Sequence, residues 1–160
     1  MVMMGKSSKI LICLNNPVFA ENAITYACSM AKKFDNTIEL LTIIDNDIDS
    51  YQGLFSVGKK LISDKRNEAE KWLTKLCKDI YNEHQLHSVI NIKEGSVSDE
   101  IEHTIENDNK IKMLVLPSSP ESSSSCKLIP YLTEKILDIS HIPILIIPSS
   151  LTKTQISNLL

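Results

Sequence analysis

Few residues in this chain combine a reactive type with a spacing that supports chemistry. His84 and His87 form an H-x-x-H pair, which binds zinc when both imidazoles stand on one helix face beside a third ligand. Here the first closes a long helical pattern, the second opens a strand-like one, and no third ligand is nearby. His103, between Glu102 and Thr104 on the polar side of a short helix, reads as solvated. The cysteines Cys13, Cys28, Cys77 and Cys126 lie far apart with no C-x-x-C pair, so neither a zinc site nor a disulfide framework is expected. Three of them fall in core patterns, and Cys126 reads as an ordinary loop cysteine. No nucleophile elbow, Walker loop, dinucleotide fingerprint or paired-carboxylate motif is present, and a chain with only 4 glycines is poorly equipped for a phosphate-binding enzyme. The expectation is a protein without catalysis, metal or cofactor.

Two polar stretches remain, each directly after an apolar run. Asn15 and Asn16 follow Ile10 to Leu14, and the serine run Ser118 to Ser125, with Lys127 just beyond it, follows Met113 to Pro117. The elements that position them are legible from periodicity. Lys9 to Leu14 is apolar at every position after the lysine, as in a strand covered on both faces. Ala20, Ala23, Ile24, Ala27, Ala31 and Phe34 recur at three and four, giving a helix from Ala20 to Phe34 with one buried face. Thr37 to Ile44 is a second strand, and Asn46 to Ser56 a polar loop. Lys60 to Asn82 carries the longest helical pattern, with Ala69, Trp72, Leu73, Leu76, Cys77, Ile80 and Tyr81 on one apolar stripe. Ser88 to Glu94 is a third strand. Ser96, with Asp99 three residues on, predicts a capping-box start for a helix burying Val97, Ile101 and Ile105, which Asn107-Asp108-Asn109 ends. The fourth strand is the run before Pro117, a short helix begins near Pro130, and Ile144 to Ile147 is the last strand.

This alternation predicts an α/β fold: a five-stranded parallel sheet with helices on both faces, Rossmann-like, whose strand order is taken as 3-2-1-4-5. The loops after the first and fourth strands then face each other at the topological switch point, where open α/β sheets bind ligands. At 160 residues one domain is expected, with a core of about 8–148 and a tail from 149 to 160. The net charge of −3 comes with no basic block, which argues against nucleic acid and anionic membranes as partners. The amino-terminal apolar run is too short for a signal peptide, and no stretch approaches a membrane span. A cytoplasmic setting is expected.

The same residues resemble the universal stress protein family. Ile10 to Asn16 is similar to its opening strand and Asp-Gly turn, with Asn15 and Asn16 in place of those two residues. Glu39 to Asp45 is similar to its second strand, and Glu94-Gly95-Ser96 followed by Ile101 to the glycine before its third helix. Leu132 to Leu137 and Ile142-Pro143-Ile144-Leu145-Ile146-Ile147 resemble its closing helix and Pro-led last strand. The family's fourth strand leads into a phosphate loop, G-x2-G-x9-G-[ST]. Laid on it, the glycine positions fall on Pro117, Pro120 and Pro130, and the Ser/Thr position on Tyr131.

The resemblance implies, for members that hold ATP, nucleoside contacts at Asn15, Asn16 and Ile43 and phosphate contacts along the loop from Leu116 and Pro117 to Tyr131 and Leu132. The asparagine amide keeps donors and acceptors. The prolines do not keep the loop's chemistry, because glycine there presents an N–H at positive φ and proline has neither. Losing two charge-assisted hydrogen bonds, at roughly 1.5–3 kcal/mol each, weakens binding by about two to four orders of magnitude. Tight ATP binding is therefore not expected, although the serines and Lys127 offer an alternative in which an ATP or other nucleotide switch survives. The last strand is apolar at every position yet forms a sheet edge. The resemblance implies a homodimer there, through Ile144, Leu145, Ile146 and Ile147, with the tail folded over that seam or frayed. Together these imply a non-catalytic stress-response or regulatory protein acting through contacts with a protein partner that the sequence does not identify.

Overall fold

The computed structural model describes residues 7–45, 55–118, 134 and 141–160. Five strands, β1 (Lys9–Cys13), β2 (Thr37–Ile44), β3 (Ser88–Glu94), β4 (Ile111–Ser118) and β5 (Ile144–Pro148), form one sheet of order β3-β2-β1-β4-β5. Every neighbouring pair is parallel, with Ile12 opposite both Leu40 and Val115, and Leu116 opposite Ile146. The helices are α1 (Glu21–Phe34), α2 (Phe55–His84), α3 (Val97–Glu106) and α4 (Lys153–Leu159), and a 3-10 helix spans Pro17–Phe19. The expected helix near Pro130 lies outside the described residues.

Side chains alternate across a strand, so β1 divides its residues between two cores. Ile10 and Ile12 pack with Ala23, Ala27, Ala31 and Leu73 beneath α1 and α2. Leu11 and Cys13 pack with Leu41, Ile101 and Leu114 on the α3 side. Both faces are dry, and a strand with no solvated face carries apolar residues throughout. The alanines of α1 are fully buried and let its backbone lie close to the sheet.

Local chemistry moves several boundaries. Helix α1 ends on Asp35 in the left-handed region, φ 54°, whose N–H bonds the Ala31 carbonyl. Phe34, expected on the buried face, is consequently 61% exposed. Helix α2 starts at Phe55 and ends at His84, longer at both ends than the stripe from Lys60 to Asn82 suggests. Within that stripe Leu73 and Ile80 are buried, but Tyr81 is half exposed, its ring 5.1 Å from that of His87. Ser96 stands at the N-cap of α3 without making the expected bond. Its hydroxyl meets Ser98 Oγ at 3.0 Å instead.

The tail forms α4 and packs on the α1 side of the sheet. Thr152 and Gln155 form a complete capping box, and Ile156 is buried in the α1-side core together with Ile147. Asn22 of α1 donates to the carbonyls of Pro148, Ser149 and Leu151 at 2.8 to 3.2 Å, clamping the chain between β5 and α4. Among the described residues no helix is long and apolar enough to cross a membrane.

Candidate functional site

Where β1 and β2 end, the chain opens into a cavity of about 460 Å3. Asn15, Asn16 and Pro17 come from the turn after β1, Thr42 to Asp45 from the end of β2, and Val97 from the first turn of α3. The remaining wall is one face of α2, Lys65, Glu68, Ala69 and Trp72, whose spacing of three, four and seven puts them on a single helical stripe.

The floor is rigid. Thr42 is buried, and its hydroxyl donates to the Leu14 carbonyl at 2.7 Å, while the Leu14 N–H bonds Leu41 O at 2.8 Å. The Asn16 side-chain oxygen accepts from Val18 N at 3.0 Å and so caps the 3-10 helix. That bond leaves its NH2 group, two donors, available to the cavity. Asn15 is exposed and makes no hydrogen bond among the described residues. Ile43 supplies an apolar edge, and Trp72 an aromatic one. Among the described residues that line it, Asp45 and Glu68 are acidic and Lys65 is basic.

Of the residues predicted for a nucleotide, this cavity gathers Asn15, Asn16 and Ile43. Leu116 is buried in the α3-side core. Pro117 continues β4 in extended conformation, in register with Ile147, and Ser118 Oγ accepts from Ser149 N at 3.3 Å. Pro120, Pro130, Tyr131 and Leu132 lie outside the described residues, as does Cys126. The cavity also uses Thr42, Lys65, Glu68, Trp72 and Val97, which sequence reasoning did not single out. The regular spacing along α2 is the signal that would have found three of them.

The other candidates disperse. His84 faces a cleft between α1 and α2, and His87 leans on Tyr81, so the pair shares no site. Among the described residues no group of three or more His, Cys, Asp or Glu side chains is arranged to hold a metal ion. His103 is exposed on α3. Burial pushes the thiols of Cys13 and Cys28 up to about 12, which removes them as nucleophiles near neutral pH. In β5, Ile144, Leu145 and Ile146 are partly buried, and Ile147 is buried within its own chain.

The sequence profile described as the universal stress protein family matches residues 6–148. The chain belongs to the universal stress protein family. No curated protein matches it. Among solved structures, universal stress protein UspA from Lactobacillus plantarum is similar, with a TM-score of 0.74, 17% identity, and coverage of 89% of this chain and 99% of that one. A universal stress protein in complex with cAMP has a TM-score of 0.54 and 11% identity over 90% of this chain and 98% of that one. An Arabidopsis thaliana universal stress protein family protein with AMP bound has a TM-score of 0.55 and 15% identity over 88% of this chain and 91% of that one. This universal stress protein has the sheet order β3-β2-β1-β4-β5. Pro117, at the first glycine position of the family's loop, stands inside a strand.

Proposed function

We propose that this universal stress protein is a non-catalytic cytoplasmic regulator of the stress response that works as a homodimer joined along β5 and does not hold ATP tightly. The observation that carries the weak nucleotide binding is Pro117. It is part of β4 and paired with β5, where a phosphate loop needs a glycine N–H and a turn away from the sheet. Regulation without catalysis leaves contacts with another protein as the means of action, and the apolar edge strand β5 is the surface for self-association.

A second reading, a nucleotide-responsive switch, draws on the cavity itself. Asn16 offers two donors, Ile43 and Trp72 offer flat apolar surface, and two structural neighbours carry cAMP and AMP. The melting temperature with and without millimolar Mg-ATP, AMP and cAMP separates the readings. A nucleotide at 100 times its dissociation constant adds about 2.7 kcal/mol, a shift of several degrees for a chain of this size. The first reading expects no shift with any of them; a clear shift selects the switch.

A further inference from the structure

The β5 edge is too small to hold two copies together by itself. Its five residues span about 17 Å, whereas a stable interface takes about 800 Å2 and 20–30 residues from each partner. A homodimer along β5 therefore needs a second surface beside the strand. On the α1 side of the sheet two helices supply one, and the second of them, α4, lies beyond residue 148, where the family match ends.

Helix α1 has two flanks. Glu21, Ile24 and Thr25 line the cleft towards α2. Asn22 stands on the other flank, where it bonds the chain between β5 and α4, and Tyr26 and Met30 follow it at intervals of four on the same side of the helix. Both are only partly buried against their own core. Helix α4 shows the same partial cover. Ile156 is 2% exposed, while Leu159 and Leu160, three and four residues on and so on the same stripe, are 60% and 49% exposed. The Leu160 N–H bonds the Ser157 carbonyl, which keeps both leucines on the helical turn. The one charged residue of α4, Lys153, is already within 3.6 Å of Glu21. A stripe that starts in the core and ends in solvent leaves apolar area uncovered by the described residues.

A two-fold axis through the seam pairs β5 with its copy antiparallel and keeps the α1 sides of both copies on one face of the joined sheet. Helix α4 follows the carboxyl end of β5, so it comes to stand beside the amino-terminal end of that strand in the second copy. Helix α1 runs from the end of β1 to the start of β2, against the strands, and its later turns, with Met30, lie towards that same end. We propose that the dimer seam has a helical layer on its α1 side, in which Leu159 and Leu160 of each copy seat on the Tyr26 and Met30 flank of the other. The inference rests on the β5 homodimer proposed above. A second copy is the occupant because the two-fold that pairs β5 brings both halves of the contact together twice.

Sedimentation equilibrium of the full chain measures the dimer dissociation constant for the natural sequence, for Ile146→Lys, and for Leu159→Gln combined with Leu160→Gln. The double substitution is expected to weaken the dimer about 10- to 100-fold, as removal of two leucine side chains from an interface predicts, and Ile146→Lys to leave monomer. Dimers mixed from isotope-labelled and unlabelled natural chains give a direct readout: nuclear Overhauser effects between copies, from the Leu159 and Leu160 methyls to the Met30 methyl or the Tyr26 ring. The Ile156 methyl resonance reports whether α4 stays docked in the double variant; where it moves, the contacts between copies decide alone. The helical layer is excluded, and the β5 seam stands, if Ile146→Lys dissociates the dimer while the double variant dimerises as tightly as the natural chain, or while no such contacts cross between copies. A monomeric natural chain, or a dimer that survives Ile146→Lys, overturns the β5 homodimer and this inference with it.

Discussion

Lys9 holds two carboxylates at the amino-terminal end of the sheet, opposite the end where the strand-end cavity opens. Its ammonium bonds Asp108 at 2.7 Å and approaches Glu39 Oε1 at 3.8 Å. Glu39 lies on β2 between Leu11 of β1 and Val89 of β3, is 9% exposed, and its Oε2 has no partner among the described residues. The hydrogen bond from Lys9 holds the Asp108 carboxyl below the usual carboxylate range, and the same bond raises the pKa of Lys9. A lowered acid contributes stability that is complete above its unfolded value, about 3.9, and fades as pH falls through the lower folded value. A raised lysine contributes stability that is complete below about 10.4 and is lost as pH rises through the higher folded value. Lys9→Met should therefore destabilise the protein by about 1–3 kcal/mol at neutral pH, because it leaves Glu39 buried without a counter-charge. Urea unfolding measures the loss, and adding Glu39→Gln should recover part of it. If the double variant is no more stable than Lys9→Met, the buried carboxylate is not the source of the cost. The thiols of Cys13 and Cys28, pushed up to about 12 by burial, should stay unlabelled by a thiol reagent at pH 8 until denaturant is added. Mass mapping of the labelled peptides checks this.

At the scale of elements, the turn between β3 and α3 and the carboxyl-terminal helix are the informative pieces. Gly95 has φ +148°, a conformation L side chains rarely adopt, and a Cβ there would meet Glu100 Oε1 at 2.8 Å. Glu100 can swing away, so the backbone sets the cost, and Gly95→Ala should lose about 1–3 kcal/mol in denaturant unfolding. Helix α4 is seven residues, too short to persist without packing. Its place depends on its capping box, on the Asn22 clamp and on buried Ile156. Thr152→Ala should cost about 1 kcal/mol, and Ile156→Ala about 2–5 kcal/mol. Equal, small effects for both would mean that α4 is not docked in solution.

For the whole molecule, the sheet has two edges, β3 and β5, and they differ in chemistry. The β3 edge carries Asn91, Lys93 and Glu94 among its apolar residues, while β5 is apolar from Ile144 to Ile147. Charges along an edge discourage pairing with another chain, and their absence permits it. Among the described residues Ile146 packs in neither buried core, so its replacement tests the edge. Sedimentation should show a dimer for the natural chain and a monomer for Ile146→Lys, with Val89→Lys at the opposite edge still dimeric. A monomeric natural chain, or dissociation by Val89→Lys and not by Ile146→Lys, would move the interface away from β5.

Strand and helix identities and their alternation were legible in the sequence, because each depends on periodicity along the chain. Ile10 to Leu14 is apolar on both faces, and the alanines of α1 recur at helical spacing. That Pro117, Pro120 and Pro130 fall on the glycine positions of the family's loop is what the resemblance implies, not what periodicity shows. What the fold alone decided depends on where distant segments meet. Trp72 belongs to an apolar stripe that suggests simple burial, yet it lines both the strand-end cavity and the cleft between α1 and α2, because α2 packs over β2 and β3 and lies beside α1. Phe34 shares its helix's buried period but emerges into solvent, since the chain turns at Asp35 before the sheet can cover it. Glu39, a charge within an apolar strand, is tolerated because Lys9 is brought beside it by strand pairing, along with Asp108 from a turn 99 residues away from Lys9. Periodicity is a property of neighbours in sequence and survives in one dimension. Cavities, counter-charges and clamps are made between segments far apart in the chain, and only the folded geometry brings them within reach.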